Sequence, residues 1–401
     1  MGSFRKDYGR LGALALIAII LAACSGSTAT WPPVKASSSA GPLASGIHVS
    51  VPSASAADAE ASASAAPRAT AAAAVTVDQI TADYTYKDEL ITPLAHLYGT
   101  ELDDFVIATV TNDNDKSVKV VVTSEITGFT DKASDTVTVD ANGTAEVRQN
   151  PRLTATAIDG LNSEHQADVH VTVSYLESGQ PRTILDQTSQ TLITSRRDFP
   201  WSIEGFTQQE NYQLVVAMVT PTDPSVEKLI VDAGHFDPQN AMTSGYESDN
   251  DADGSVYQRL DDVWQAEQTN FGLTYDSTTI SFASGSSQRI RLPGEVLDQN
   301  AGNCIELTLL YASVVEALHM QAALVIIPGH AYVGVRLDGT NDNYYFIETT
   351  EIGSATFKQA ATDGSTEWQD AQPHIAAGDA DYGWVDVETA RDAGIIPIPW
   401  R

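Results

Sequence analysis

Between Val75 and Ser195 apolar residues fall at every second position, and this alternation constrains the fold more than any other feature of the chain. It is plain in Phe105-Val106-Ile107-Ala108-Thr109-Val110, Val118-Lys119-Val120-Val121-Val122, Thr136-Val137-Thr138-Val139 and Val169-His170-Val171-Thr172-Val173. A period of two suits a pleated strand with one buried face and does not suit an amphipathic helix. Turn-forming clusters, Asn112-Asp113-Asn114-Asp115, Asn142-Gly143 and Ser178-Gly179, separate the runs.

Several short strands at this spacing predict an all-β, immunoglobulin-like sandwich over residues 76–196. No cysteine pair crosses it, and His165 and His170 lie on or beside a strand without the spacing of metal ligands. The sandwich reads as a spacer or a surface-binding module. Asn142-Gly143-Thr144 matches a glycosylation sequon, but its expected role is a hairpin turn.

The remaining sequence brackets this region. Arg5, Lys6 and Arg10 precede an apolar run, Leu11 to Leu21, that is short for a membrane span. It ends in Leu21-Ala22-Ala23-Cys24-Ser25, which resembles a bacterial lipobox. The resemblance implies a signal peptide over residues 1–24, cut before Cys24, with lipid on that cysteine, a membrane partner through the lipid and an extracytoplasmic location. The alternative is an ordinary signal peptide with an incidental cysteine.

Residues 25–75 are rich in Ala, Ser, Pro and Thr and poor in aromatics, a composition expected to form a disordered tether. As a coil of about fifty residues it would reach on the order of 40 Å. The whole chain of 401 residues carries a formal net charge of -31, from 53 acids against 22 bases. That balance argues against nucleic acid and anionic lipid surfaces as partners.

Residues 197–401 form the expected second domain, entered through Arg196-Arg197-Asp198-Phe199-Pro200-Trp201. Helical pieces are expected at 211–219, at 225–233 behind an Asp223-Pro224 start, and at 261–270, with an extended segment at 272–275. Asp249, Asp251 and Asp253 open a D-x-D-x-D-G calcium-loop pattern, but the twelfth position holds Leu260 instead of the required Glu. A solvated acidic loop is the stronger reading there. Phe357 to Ala360 reads as an amphipathic piece, followed by a loop to Asp381.

The chemistry concentrates between Gln288 and Thr350. Leu309, Leu310, Ser313, Ala317 and Leu318 share a helical face, which places Cys304 in the first turn of a helix. Free N–H groups and the helix dipole favour a thiolate at such a position. Next come the apolar run 323–327, a Pro328-Gly329 turn, a strand opened by His330, a second turn cluster, and a run from Tyr344 that carries Glu348. Adjacent antiparallel strands would set an imidazole beside a carboxylate, giving nucleophile, base and orienting acid in that order. Asp386 and Glu388 compete for the third role. There are two cysteines, so with Cys24 lipidated Cys304 has no partner within the chain and is either a used thiol or a buried inert one. A metal site on Cys304 and His330 falls short of the usual ligand number, and no cofactor is implied.

Gly302-Asn303-Cys304, Gly329-His330-Ala331-Tyr332 and Glu348-Thr349-Thr350 together resemble the transglutaminase-like branch of the papain-like fold, whose core reads G-x-C, helix, strand, G-H-A-[WY], strand, D-x-T. The likeness extends to Gln288-Arg289-Ile290-Arg291-Leu292-Pro293 and covers roughly the last half of the chain. It implies an α+β papain-like domain acting on an amide or peptide bond of a protein, peptide or cell-envelope substrate, with Cys304, His330 and Glu348 as the catalytic set. By the same resemblance Gln288 is the first oxyanion candidate and Asn300 the second. Glu348 stands where Asp is usual, Tyr332 replaces the commoner Trp, and His319 sits where Gly is common, so His319 is expected in a left-handed conformation. The competing reading is a surface scaffold that keeps the fold without the chemistry.

Overall fold

The computed structural model describes residues 67–238, 240, 242–246, 252–277, 287–337 and 343–398. The expected signal peptide, Cys24 and most of the expected tether lie outside these residues, as do Asp249, Asp251 and the side chain of Asp253. The described residues form a single unit of mixed α+β structure with much of the chain in β-sheets.

The first half is built from two five-stranded sheets among the described residues. Strands β1 (Ala69–Ala71), β2 (Val75–Val77), β3 (Ile80–Lys87), β5 (Val106–Asn112) and β8 (Gly143–Gln149) make one. The other has the order β4 (Glu89–Leu90), β10 (Gln180–Ile193), β9 (His165–Glu177), β6 (Val118–Ile126) and β7 (Ala133–Val139). Their inner faces carry the alternating apolar positions, Ile80, Ala82, Tyr84, Val106, Ala108 and Val110 from one sheet and Val120, Val122, Val169, Val171 and Val173 from the other, all buried. Burying each such valine contributes about 1.5–3 kcal/mol, which is what fixes the register.

Two expectations change in detail. The first sheet starts at Ala69, inside the stretch read as tether, because β1 pairs through its backbone with β3 at Ala69↔Lys87 and pairing needs no large side chains. Asn142-Gly143 is not a hairpin turn: β7 pairs with β6 and β8 with β5, so the turn carries the chain from one sheet to the other. Ser178 and Gly179, with φ of 52° and 80°, do close the β9–β10 hairpin.

The short strand β11 (Asp198–Pro200) leads into the second half. There a four-stranded sheet has the order β17 (Tyr344–Ile347), β16 (His330–Arg336), β15 (Ala322–Ile327), β18 (Gly383–Asp386). With helices on both faces, central β15 is apolar throughout rather than alternating. Short α1 (Ala155–Gly160) belongs to the first half; α2 (Gln208–Leu214), α3 (Pro224–Ala233), α4 (Ala252–Thr269) and α5 (Pro293–Gln299) precede α6 (Cys304–Ala317). From Cys304 to Val315 every residue of α6 is buried, as befits a helix apolar on all sides, and it packs on β15 and β16.

The opposite face of the sheet is covered by α7 (Phe357–Ala377), 21 residues where the sequence suggested a short piece and a loop. Thr356 caps its start and Gly378, at φ 75°, ends it. Gly364, Trp368, Ala371 and Ile375 recur at helical spacing toward the sheet, and this stripe outweighs the internal Pro373. Short α8 (Val387–Asp392) closes the domain. Among the described residues no helix is long and apolar enough to cross a membrane.

Candidate functional site

Cys304 is the first residue of α6, and its helix start is tightly built. Asn303 is the N-cap, its side chain accepting from Glu306 N–H at 3.1 Å, while Glu306 accepts from Asn303 N–H at 3.0 Å. The Glu306 carboxylate is buried and would be costly alone. Arg291 meets it with Nη2 at 2.6 Å and Nε at 3.0 Å, and the Arg291 backbone N–H adds a bond of 2.8 Å. Four residues on, Thr308 donates to the Cys304 carbonyl at 2.7 Å. Strand β12 (Thr274–Tyr275) runs beside β14 (Ala301–Gly302), which sets Tyr275 opposite Gly302. A Cβ at Gly302 would lie 3.0 Å from Leu307 and Val296, so the approach to the cysteine is close-packed.

His330 opens β16 after Gly329, whose φ of 76° makes the tight turn. The pairing Val333↔Ile347 sets Glu348 just past the end of β17, beside the start of β16. There His330 Nε2 lies 2.6 Å from Glu348 Oε2, the length of a charge-assisted hydrogen bond. The other carboxylate oxygen of Glu348 accepts from Thr350 N–H at 2.8 Å and from the Thr350 hydroxyl, so the side chain is held at both ends. The longer Glu thus reaches the imidazole directly. A second carboxylate, Glu367 from α7, stands 3.5 Å from the same Nε2.

Nε2 is turned toward carboxylates, and the Cys304 side chain is among the groups that act on the His330 ring. Burial opposes a charged ring, but the partners Cys304, Glu348 and Glu367 prevail and push the His330 pKa up to about 12. Burial also acts against the Glu348 carboxylate, yet the imidazole and Thr350 carry its pKa below the ordinary value. Partial burial raises the Tyr275 phenol, with a further push from Cys304, so Tyr275 borders the site. The Tyr332 ring is stacked against His330 at 6.1 Å and is fully buried, and its hydroxyl has no hydrogen-bond partner among the described residues.

The other sequence candidates are placed as follows. The Gln288 oxygen, on β13 (Ser287–Arg289), accepts from Trp201 Nε1–H at 3.1 Å, which fixes the amide so that its nitrogen faces elsewhere. Asn300, left-handed at φ 57°, donates its amide to the Phe271 carbonyl. Asp386 caps α8 by accepting from Thr389 N–H at 2.8 Å, and Glu388 bonds Gln321. His319 adopts φ 56° at the end of α6. The helix α4 already runs through residue 253, and Leu260 is buried within it. The ligand atoms of His330, Glu348 and Glu367 lie within 4.8 Å of one another, and the 2.6 Å contact between His330 and Glu348 has the length of a hydrogen bond.

Sequence reasoning did not reach Glu367, Trp201 or the Arg291–Glu306 pair. Arg291 had a signal, since it lies in the Gln288–Pro293 stretch; Glu367 had none. Cys304 itself is 0% exposed, whereas the side chain of His330 is 23% and that of Glu367 36% exposed. A surface cleft of about 490 Å³, lined by Pro221, Glu227, Glu316 and His319, lies at the far end of α6.

No family model and no curated protein matches the chain. Among solved structures it is similar to a protein from Archaeoglobus fulgidus, at 12% identity over 32% of this chain and 95% of that one, with a TM-score of 0.19. It is also similar to an exo-chitosanase from Amycolatopsis orientalis, at 12% identity over 50% of this chain and 26% of that one, with a TM-score of 0.16. Likeness at this level carries no argument about fold or chemistry.

Proposed function

We propose that the second half of the chain is a papain-like, transglutaminase-like domain that performs cysteine acyl transfer, carried behind an immunoglobulin-like sandwich on a lipid-anchored, extracytoplasmic protein. The supporting observation is the surroundings of one imidazole: His330 meets Glu348 at 2.6 Å, and the Cys304 side chain at the start of α6 is among the groups that act on the ring. In this reading the Cys304 sulfur attacks an amide or peptide carbonyl, and its proton resides on His330. Collapse of the tetrahedral intermediate breaks the C–N bond, and the departing amine takes the proton from His330. Water, deprotonated by the same imidazole, then hydrolyses the thioester. An amine in place of water would make the reaction a transfer. The Cys304 N–H at the helix start and the Gln288 amide are the proposed oxyanion donors.

The fully buried sulfur favours a second reading, a surface scaffold with a sealed thiol. Iodoacetamide labelling at neutral pH separates the two. Acyl transfer requires Cys304 to label at least about tenfold faster than free cysteine and to lose that advantage in His330→Ala. Labelling no faster than free cysteine in the folded protein leaves the scaffold.

A further inference from the structure

Glu367 reaches His330 because α7 lies unusually close to the sheet. A Cβ on Gly364 would sit 2.7 Å from the backbone of Phe346 and Ile347, so only glycine permits this approach. One turn earlier, the Ala360 carbonyl accepts from Glu348 N–H at 3.0 Å, which ties the helix to the residue that bonds the imidazole. Glu367, three residues after Gly364, shares its face. Its Oε2 points at His330 Nε2 from 3.5 Å, while Glu348 holds the bond at 2.6 Å. Nε2 has one proton to donate, and Glu348 takes it. What Glu367 adds is charge: two carboxylates this close would repel each other unless a cation stood between them.

We infer that Glu367 is a positioning residue, a second carboxylate delivered by α7 that stabilises the positive charge of His330 and keeps its ring turned toward Cys304. The inference rests on the acyl-transfer reading above. Among the described residues the titratable groups around the ring are Cys304 on α6, Glu348 after β17, Glu367 on α7, Tyr275 on β12 and Tyr332 on its own strand. Glu351 senses Asp363, Glu348 and Glu367, and Asp370 acts on Tyr332. Removing one negative charge from this group destabilises the imidazolium without altering the sulfur, the ring or Glu348.

The test is the pH profile of iodoacetamide labelling of the full chain, read together with the NMR titration of the His330 ring. Glu367→Gln is expected to move the loss of the His330 proton to lower pH by about half to one unit, and the labelling profile with it. Glu367→Asp, which keeps the charge, is expected to stay close to the unmodified protein, with thermal melting preserved in both. Glu367→Ser reads the same loss of charge at smaller size should the glutamine variant fold poorly. A Gln or Ser profile that superimposes on the unmodified one overturns the inference, as does an Asp shift as large as the Gln shift. An unmodified Cys304 that labels like free cysteine overturns the acyl-transfer reading and this inference together; an activated Cys304 indifferent to Glu367 overturns only the latter.

Discussion

The two halves of the molecule bury polar groups in different ways. Among the described residues the first half buries only neutral ones, Thr92, Asn112, Ser124, Gln149, Thr191, Thr194 and Ser195. Among the described residues the second buries six ionisable side chains, Asp223, Arg259, Asp262, Glu267, Glu306 and Glu348. A neutral amide such as Asn112 is satisfied by backbone at a turn, donating to Lys116 O at 2.8 Å and Asp140 O at 3.0 Å. A buried carboxylate instead needs a dedicated partner or must hold its proton. The first half therefore buries what packing requires, and the second carries a burden that packing alone does not explain. Such groups gather where chemistry is done.

The contrast can be broken at three places. The largest expected effect is Arg291→Ala, which leaves the Glu306 carboxylate buried without its guanidinium; a loss of about 3–5 kcal/mol in urea unfolding is expected. A loss comparable to that of a surface residue would show that the charges of the second half are not held in low dielectric.

Glu267 comes next. Burial alone raises its pKa from 4.5 to about 8, so the folded state keeps a proton that the unfolded state releases. That contribution to stability is fully present below pH 4.5 and is lost as pH rises to about 8. Glu267→Gln, which cannot ionise, is therefore expected to match the unmodified protein in acid and to exceed it by about 2–4 kcal/mol at pH 8. A glutamine variant less stable at pH 8 would mean that the carboxylate is paired.

The smallest effect is expected in the first half. Asn112→Ala should cost about 1–2 kcal/mol, with the same loss at pH 5 and pH 8, since a neutral amide has no titration to couple. A pH-dependent loss there would erase the difference between the halves.

What the sequence makes legible follows from how local each cause is. The strands of the first half are visible because alternation is a property of neighbouring residues, and Asp223 is visible as a cap because its bond to Ser225 N–H spans two positions. Cys304, His330 and Glu348 sit at a helix start, a tight turn and a strand end, features that adjacent residues announce. The length of α7 was hidden by Pro373 and a polar outer face, and its apolar stripe acquires meaning only against the aromatic face of Tyr332, Phe346 and Trp384. The bond of Trp201 to Gln288 spans 87 residues, and no local pattern encodes it.

Gly364 has a consequence for how the neighbourhood of His330 can change. A methyl group there would act as a wedge under the helix, moving an acidic group away from the imidazole without altering any atom that does chemistry. If Glu367 tunes the imidazole as inferred, the proton affinity of the ring depends on a side chain that is absent, and variation at a position that bears no functional group would retune it.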